Sequence, residues 1–192
     1  MKVAIIAGGP INDIKAVLDL DESWEIWGLN NITPSFVPRW DRWFNLHHYK
    51  TLRKEWPRGL ASELAWAHMN PDLPCYVLDS WKGKLPNERI FPRKQLAKMP
   101  RGGYHCSSID WMIAYAIHLA RQGDNYLTDI YIAGVQMRHH EEPISATPCI
   151  EYWCGDAQGL GVNVRVAPSC DLFYNYHLVR SRYVYGYDSW DL

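Results

Sequence analysis

No stretch of this 192-residue sequence approaches eighteen consecutive apolar residues, and no basic segment leads into an apolar one. The chain therefore reads as one with neither a membrane span nor a signal peptide. Neither charge is in excess: 20 Lys+Arg stand against 21 Asp+Glu, for a net charge of -1. That balance argues against a general nucleic-acid binder, which needs a basic surface. The five cysteines, Cys75, Cys106, Cys149, Cys154 and Cys170, form no C-x-x-C pair and leave one over. They read as free thiols of a cytoplasmic protein, which excludes a disulfide framework and the usual zinc spacing. The dinucleotide fingerprint G-x-G-x-x-G is absent. Phe is scarce, at 4, whereas Trp and Tyr number 10 and 12. Aromatics with a polar handle serve where one edge is buried and the other meets a ligand or partner, and they serve equally as core.

Against those absences stands one organising stretch, Lys2 to Pro10, KVAIIAGGP. Val3 to Ala7 reads as a strand buried on both faces, and Gly8-Gly9 follows as a turn with no Cβ to obstruct a bound group. In doubly wound sheets the first strand ends near the crevice where ligands bind. Ile11 to Leu20 has helical spacing, and WEIWGL, residues 24–29, reads as a second strand running into Asn30-Asn31 at the ligand edge of the sheet. An amide there can donate to one ligand oxygen and accept from another. Residues 41–46, DRWFNL, read as a third strand ending in His47-His48. Asn45 and His47 lie two apart and share one face of extended chain, a plausible polar lining for a substrate.

Residues 50–73 read as partly helical and 75–78 as a fourth strand. From 79 to 100 the chain is rich in Pro, Lys and Arg with little periodicity, and reads as an irregular excursion suited to a phosphate-bearing ligand through Lys82, Lys84, Arg89, Arg93 and Lys94. Ile109 to Ala120 is almost continuously apolar and reads as a central helix. Ser107 or Ser108 caps it, Ser107 with Asp110 approximates a capping box, and a helix start lined by hydroxyls seats phosphate or carboxylate. DIYIAGV, 129–135, is the next buried strand. The cluster Gln136 to Glu142 after it offers His139 or His140 as general base or acid and Glu141 or Glu142 as its partner. Adjacent ligands do not share a helical face and no H-x-x-x-H spacing occurs, so no residue is assigned to a metal. Thr147 and Pro148 read as the start of a helix, with Glu151 in its early turns either as a cap or as a contact to a ligand hydroxyl. Residues 162–166 read as the last strand, and 171–192 as an aromatic tail lying over the site or a partner subunit. The fold expected is a single α/β domain over 1–192, Rossmann-like, with a mostly parallel sheet and helices on both faces.

The order of KVAIIAGGP, WEIWGLNN, WFNLH, GYHCSS and DIYIAGV resembles the bacterial sialyltransferases that use CMP-sialic acid. It is also similar to the phage and archaeal DUF115 group, related to an archaeal pterin diphosphokinase. The resemblance spans roughly residues 2 to 170, and its first loop reads Ala7-Gly8-Gly9-Pro10-Ile11 where the sialyltransferases carry a G-N-G-P-S type loop. It implies a nucleotide along the strand ends. Gly8 and Gly9 would approach a phosphate or ribose, Asn30 the nucleotide, Asn45 a phosphate or sugar, and Ser107 or Ser108 the donor.

The functional expectation is a transferase using a nucleotide or nucleotide-sugar donor, most concretely a glycosyltransferase acting on a hydroxyl acceptor. His139, His140 or Glu141 would deprotonate the acceptor, with His47 and Glu151 as substrate contacts. Two other readings carry the same residues: a non-catalytic nucleotide-binding or sequestering protein, and an oligomeric structural accessory whose aromatic tail is its interface. A divalent metal and a homo-oligomer stay open.

Overall fold

Seven strands pair side by side in the order β5-β4-β3-β2-β1-β6-β7, every pairing parallel. The computed structural model describes residues 1–9, 11–30, 37, 39–99, 102–123, 126–135, 141–170 and 172–173, and of residues 11, 12 and 141–144 the backbone alone. The strands are β1 (Lys2–Ile6), β2 (Trp24–Leu29), β3 (Arg42–Asn45), β4 (Cys75–Val77), β5 (Glu88–Ile90), β6 (Asp129–Ala133) and β7 (Asn163–Val166). The helices are α1 (Ile11–Lys15), α2 (Tyr49–Glu55), α3 (Pro57–Met69), α4 (Arg93–Leu96), α5 (Ser108–Gln122) and α6 (Glu141–Gly159). This is the single α/β domain with helices on both faces of a parallel sheet that the buried apolar runs predict.

Two cores flank the sheet. One joins β1, β2, β6 and Phe44 of β3 to α5 and α6 through Ile5, Trp27, Phe44, Met112, Ile113, Ile117, Ile132 and Trp153; the other joins β4 and Trp43 of β3 to α2 and α3 through Trp43, Leu52, Leu60, Ala67, Cys75, Val77 and Trp81. Strand alternation divides them: Trp43 and Asn45 face α3, while Phe44 between them faces α5. The aromatics described are largely core. Trp27, Phe44, Tyr76 and Tyr115 pack ring on ring, and the Arg42 guanidinium lies 5.1 Å from the Trp27 ring centre while gripping Glu25 at 2.8 Å.

Register puts the strand ends level. Leu29 lies opposite Phe44, Phe44 opposite Tyr76, and Tyr76 opposite Arg89, so Asn30, Asn45, Val77 and Ile90 form the next rung. At β1 and β6 the chain reverses the direction in which the sheet grows. There the two strand-end loops close on each other: the Gly9 N–H donates to the Gly134 carbonyl at 2.7 Å and the Ala7 N–H to Ala133 at 2.9 Å.

Two expectations are corrected. Residues 79–99 are not an irregular excursion: a 3-10 turn, Asp79–Trp81, leads to the edge strand β5 and the one-turn helix α4. Only three residues long and partly exposed, β5 leaves no alternation to read. Thr147-Pro148 does not start a helix, because α6 begins at Glu141 and carries Pro148 inside it. Proline there lacks the N–H that would bond the carbonyl four residues back, a cost that the packing of Cys149, Ile150 and Trp153 into the core outweighs. The tail after 173 lies outside the described residues.

A Cβ on Gly134, whose φ is +68°, would stand 2.2 Å from the Ala7 carbonyl oxygen, and one on Gly9 2.4 Å from that of Gly134. Gly134→Ala is expected to cost about 3 kcal/mol, from backbone overlap together with a left-handed conformation. Urea unfolding measures it, and a loss below about 1 kcal/mol would mean that the two loops separate freely.

Candidate functional site

Alternation along β3 sends Asn45 toward α3, where it has no solvent exposure. Its Nδ2 donates to Glu63 Oε2 at 2.8 Å, and its Oδ1 accepts the His47 backbone N–H at 3.2 Å. The same Oδ1 lies 3.2 Å from His47 Nδ1. A backbone N–H can only donate, so the amide orientation is fixed, and Oδ1 must also be the acceptor facing the ring. Glu63 sits on the buried stripe of α3 between Leu60 and Ala67. Burial pushes its carboxyl up to about 7, partly offset by the Asn45 hydrogen bond, and its Oε1 has no partner. The loop beyond is held by backbone as well, since Trp81 Nε1 donates to the His47 carbonyl at 2.9 Å. His47 is thus an exposed side chain on an anchored backbone.

Facing it is the start of α5. Ser107 is its N-cap and forms a capping box with Asp110, as the spacing predicts. Asp110 is fully buried; its Oδ2 accepts the N–H groups of Cys106 at 2.9 Å and Ser107 at 2.7 Å, and its Oδ1 lies 2.6 Å from His105 Nδ1. The His105 ring is stacked between Trp111, with ring centres 3.5 Å apart, and Trp153, 4.9 Å away. Trp153 reaches in from α6 and donates its indole N–H to the Tyr104 carbonyl at 2.9 Å. His105 Nε2 is buried without a partner. The Cys149 thiol, buried and hydrogen-bonded with that of Cys106, is pushed up to about 12 and is no nucleophile near neutral pH.

Between these two walls lies a cavity of about 310 Å³, lined by Leu46, His47, Leu78, Phe91, Arg93 and residues 105–108 with Trp111. Its size falls at the lower end of ligand pockets. Arg93, from the first turn after β5, lies over the outer face of Trp111 at 5.6 Å. A second cavity of about 610 Å³ shares Leu78, Phe91 and Arg93 with the first and continues past His48, Asp79, Ser80, Lys94 and Gln95. Both open at the carboxyl ends of β3, β4 and β5.

Of the residues singled out in the sequence, His47, Ser107 and Ser108 meet in the smaller cavity. Asn45 acts on His47 from beneath and does not line it. Asn30 stands one strand over on the same rung with φ +54°, a left-handed residue whose N–H and C=O are engaged by Phe44 and Trp43 and whose buried Oδ1 has no partner. Gly8 and Gly9 line neither cavity, and the Gly9 N–H is occupied by Gly134. Glu151 accepts the Phe173 N–H at 3.0 Å and so ties down the start of the C-terminal segment. His139 and His140 lie outside the described residues; Glu141 opens α6, its side chain undescribed. Among the described residues no three His, Cys, Asp or Glu side chains converge as metal ligands, and no helix is long and apolar enough to cross a membrane. Sequence reasoning missed Glu63, although a carboxylate on the apolar stripe Leu60-Glu63-Ala67 is a readable signal. It named His105 without its role, which depends on Trp153 of a distant helix.

No protein-family model and no curated protein sequence matches this chain. Solved structures do. The crystal structure of the sialyltransferase CST-II in complex with a trisaccharide acceptor and CMP aligns over 92% of this chain and 84% of its own, with 14% identity and a TM-score of 0.58. The sialyltransferase CstII from Campylobacter jejuni, in complex with a substrate analogue and described with cytidine-5'-monophosphate, aligns over the same shares with 16% identity and a TM-score of 0.53. At such identities the likeness is one of fold.

Glu63 gives the site a stability signature. Below its ordinary value of 4.5 both folded and unfolded chains hold the proton; between 4.5 and about 7 the unfolded chain releases it and the folded chain keeps it, so stability falls as pH rises. Glu63→Gln stays neutral and still offers Asn45 an acceptor. Its stability relative to wild type is expected to rise by about 2–3 kcal/mol between pH 4.5 and 8. Urea unfolding at the two pH values checks this, and pH-independent differences would contradict it.

Proposed function

We propose that this protein transfers a group from a nucleotide-activated donor, most concretely a sugar, to a hydroxyl acceptor. The observation that carries the reading is the cavity in which Arg93, Ser107 and Ser108 converge with His47 at the strand ends. Asp110 already occupies the N–H groups of Cys106 and Ser107, so the anion seat is not a bare helix end. It consists of the Ser108 hydroxyl, the remaining N–H groups of the first turn and the Arg93 guanidinium, the Ser107 hydroxyl being engaged by Asp110. Charge grows on the phosphate as its bond to the transferred group breaks, and fixed donors at that position lower the barrier more than they aid binding.

The nucleoside then extends along the rung toward Asn30 and Gly8, and the larger adjoining cavity takes the acceptor. His139, His140 and Glu141 follow β6 in the chain and remain candidates for proton transfer on sequence grounds alone. The solved sialyltransferases, described with CMP and a trisaccharide acceptor, support this division into donor and acceptor subsites by likeness of fold.

Thermal unfolding against nucleoside monophosphates, CMP-sialic acid, UDP-glucose and GDP-mannose tests the reading. One nucleotide class at a hundredfold excess over its Kd is expected to raise Tm by about 5–10 °C. Cys106 is the exposed thiol of this cavity. The same ligand should slow its alkylation, and Arg93→Ala should weaken binding about tenfold. Absence of any shift would remove the reading, and binding without consumption of any donor would favour a nucleotide-binding protein.

A further inference from the structure

The wall of the smaller cavity carries a pair of thiols that the proposed transfer does not use. Cys106, just before the N-cap Ser107, is exposed and lines that cavity, while Cys149 on α6 is 1% exposed. The two thiols are hydrogen-bonded to each other. Helix geometry builds this contact. Cys149 and Trp153 stand one turn apart on one face of α6, and that face meets the loop before α5 twice. Trp153 stacks on His105 and donates to the Tyr104 carbonyl, and Cys149 meets Cys106. We propose that Cys106 and Cys149 form a reversible dithiol–disulfide pair, oxidised by a small disulfide of the glutathione class, and that the oxidised form binds the activated donor more weakly. The pair itself is independent of the transferase reading, whereas its effect on a donor rests on that reading.

Access sets the order of the two steps. Exposed Cys106 is the sulfur that a dissolved disulfide meets. Its sulfur bonds to one sulfur of the reagent, the reagent's own S–S bond breaks, and the first glutathione leaves with the proton that Cys106 gives up. Cys149 then bonds to the Cys106 sulfur, the bond to the second glutathione breaks, and that glutathione leaves with the Cys149 proton. Two protein thiols lose two electrons in all, and one glutathione disulfide becomes two glutathiones. Burial pushes the Cys149 thiol up to about 12, which keeps it inert toward dissolved reagents. Contact with the reacting sulfur offsets that handicap, since groups held together react as if at very high concentration.

Forming the bond draws Cys106 out of the cavity wall toward α6. The N–H groups of Cys106 and Ser107, which Asp110 holds at 2.9 and 2.7 Å, are displaced with it. That displacement falls on the first turn of α5, where the phosphate is seated. Cys75 provides an internal control, because its thiol is buried and donates to the Leu73 carbonyl.

Two measurements test this. The full chain is equilibrated in mixtures of reduced and oxidised glutathione, alkylated, digested and mapped by mass spectrometry. A peptide linked through Cys106 and Cys149 is expected, reversed by dithiothreitol, with Cys75 recovered as a free thiol throughout. In Cys149→Ala, Cys106 should accumulate instead as its glutathione adduct. Affinity for CMP-sialic acid, UDP-glucose and GDP-mannose is then compared between reduced and oxidised chains. The donor that binds should do so about tenfold more weakly to the oxidised chain, and by reciprocity its saturation should raise the midpoint potential of the pair by about 30 mV. A wild-type chain that stops at the Cys106 adduct, or in which neither thiol reacts, overturns the pair, and equal donor affinity in both forms overturns its control of binding. If Cys149→Ala unfolds, the wild-type map still decides. If no nucleotide binds, the transferase reading fails and takes the effect on a donor with it, while the map alone decides the pair.

Discussion

Four donors converge on one buried carboxylate, Asp110: the N–H groups of Cys106 and Ser107, the Ser107 hydroxyl and, on the other oxygen, His105 Nδ1. A carboxylate taken out of water is tolerated only when its lone pairs are met this fully. Meeting them fixes the path of residues 105–108, so the wall of the cavity is a consequence of how the central helix begins. His105, held from below by Asp110, becomes a flat surface on which Trp111 of α5 and Trp153 of α6 both stack. The cap of one helix thereby sets the spacing of two.

The opposite wall is built on the same plan with an amide in place of the carboxylate. Asn45 is placed toward α3 by strand alternation, meets Glu63 there, and holds the next residue on its own face of the chain, His47. Both walls thus put a histidine against a buried polar side chain. They differ in access: the His105 ring is closed between two tryptophans, whereas the His47 side chain is exposed. The glycines of the first loop belong to another constraint. Gly9 and Gly134 bring the ends of β1 and β6 into backbone contact where the sheet reverses its growth, while the two cavities described lie at the ends of β3, β4 and β5.

Much of this was legible in the residue pattern. Buried β-branched runs announced β1 and β6, the Ser107–Asp110 spacing announced the cap, and the two-residue spacing of Asn45 and His47 announced a shared face that proves to be a hydrogen bond. What escaped depends on distance along the chain. Glu63 acquires its partner only where β3 brings Asn45 against it, and Trp153 only where His105 stacks on it. The three-residue β5 offers too little alternation to distinguish a strand from a loop, and Pro148 looks like a helix start because local preference ignores the packing that carries α6 through it.

The central claim is that the phosphate of an activated donor rests at the start of α5, not on the glycine loop after β1. A crystal structure with bound CMP tests it most directly. The account predicts phosphate oxygens within hydrogen-bond distance of Ser108 and Arg93, with the nucleoside directed toward Asn30. Phosphate seated on the backbone of Gly8-Gly9, with the cavity between His47 and Ser107 empty, would contradict it.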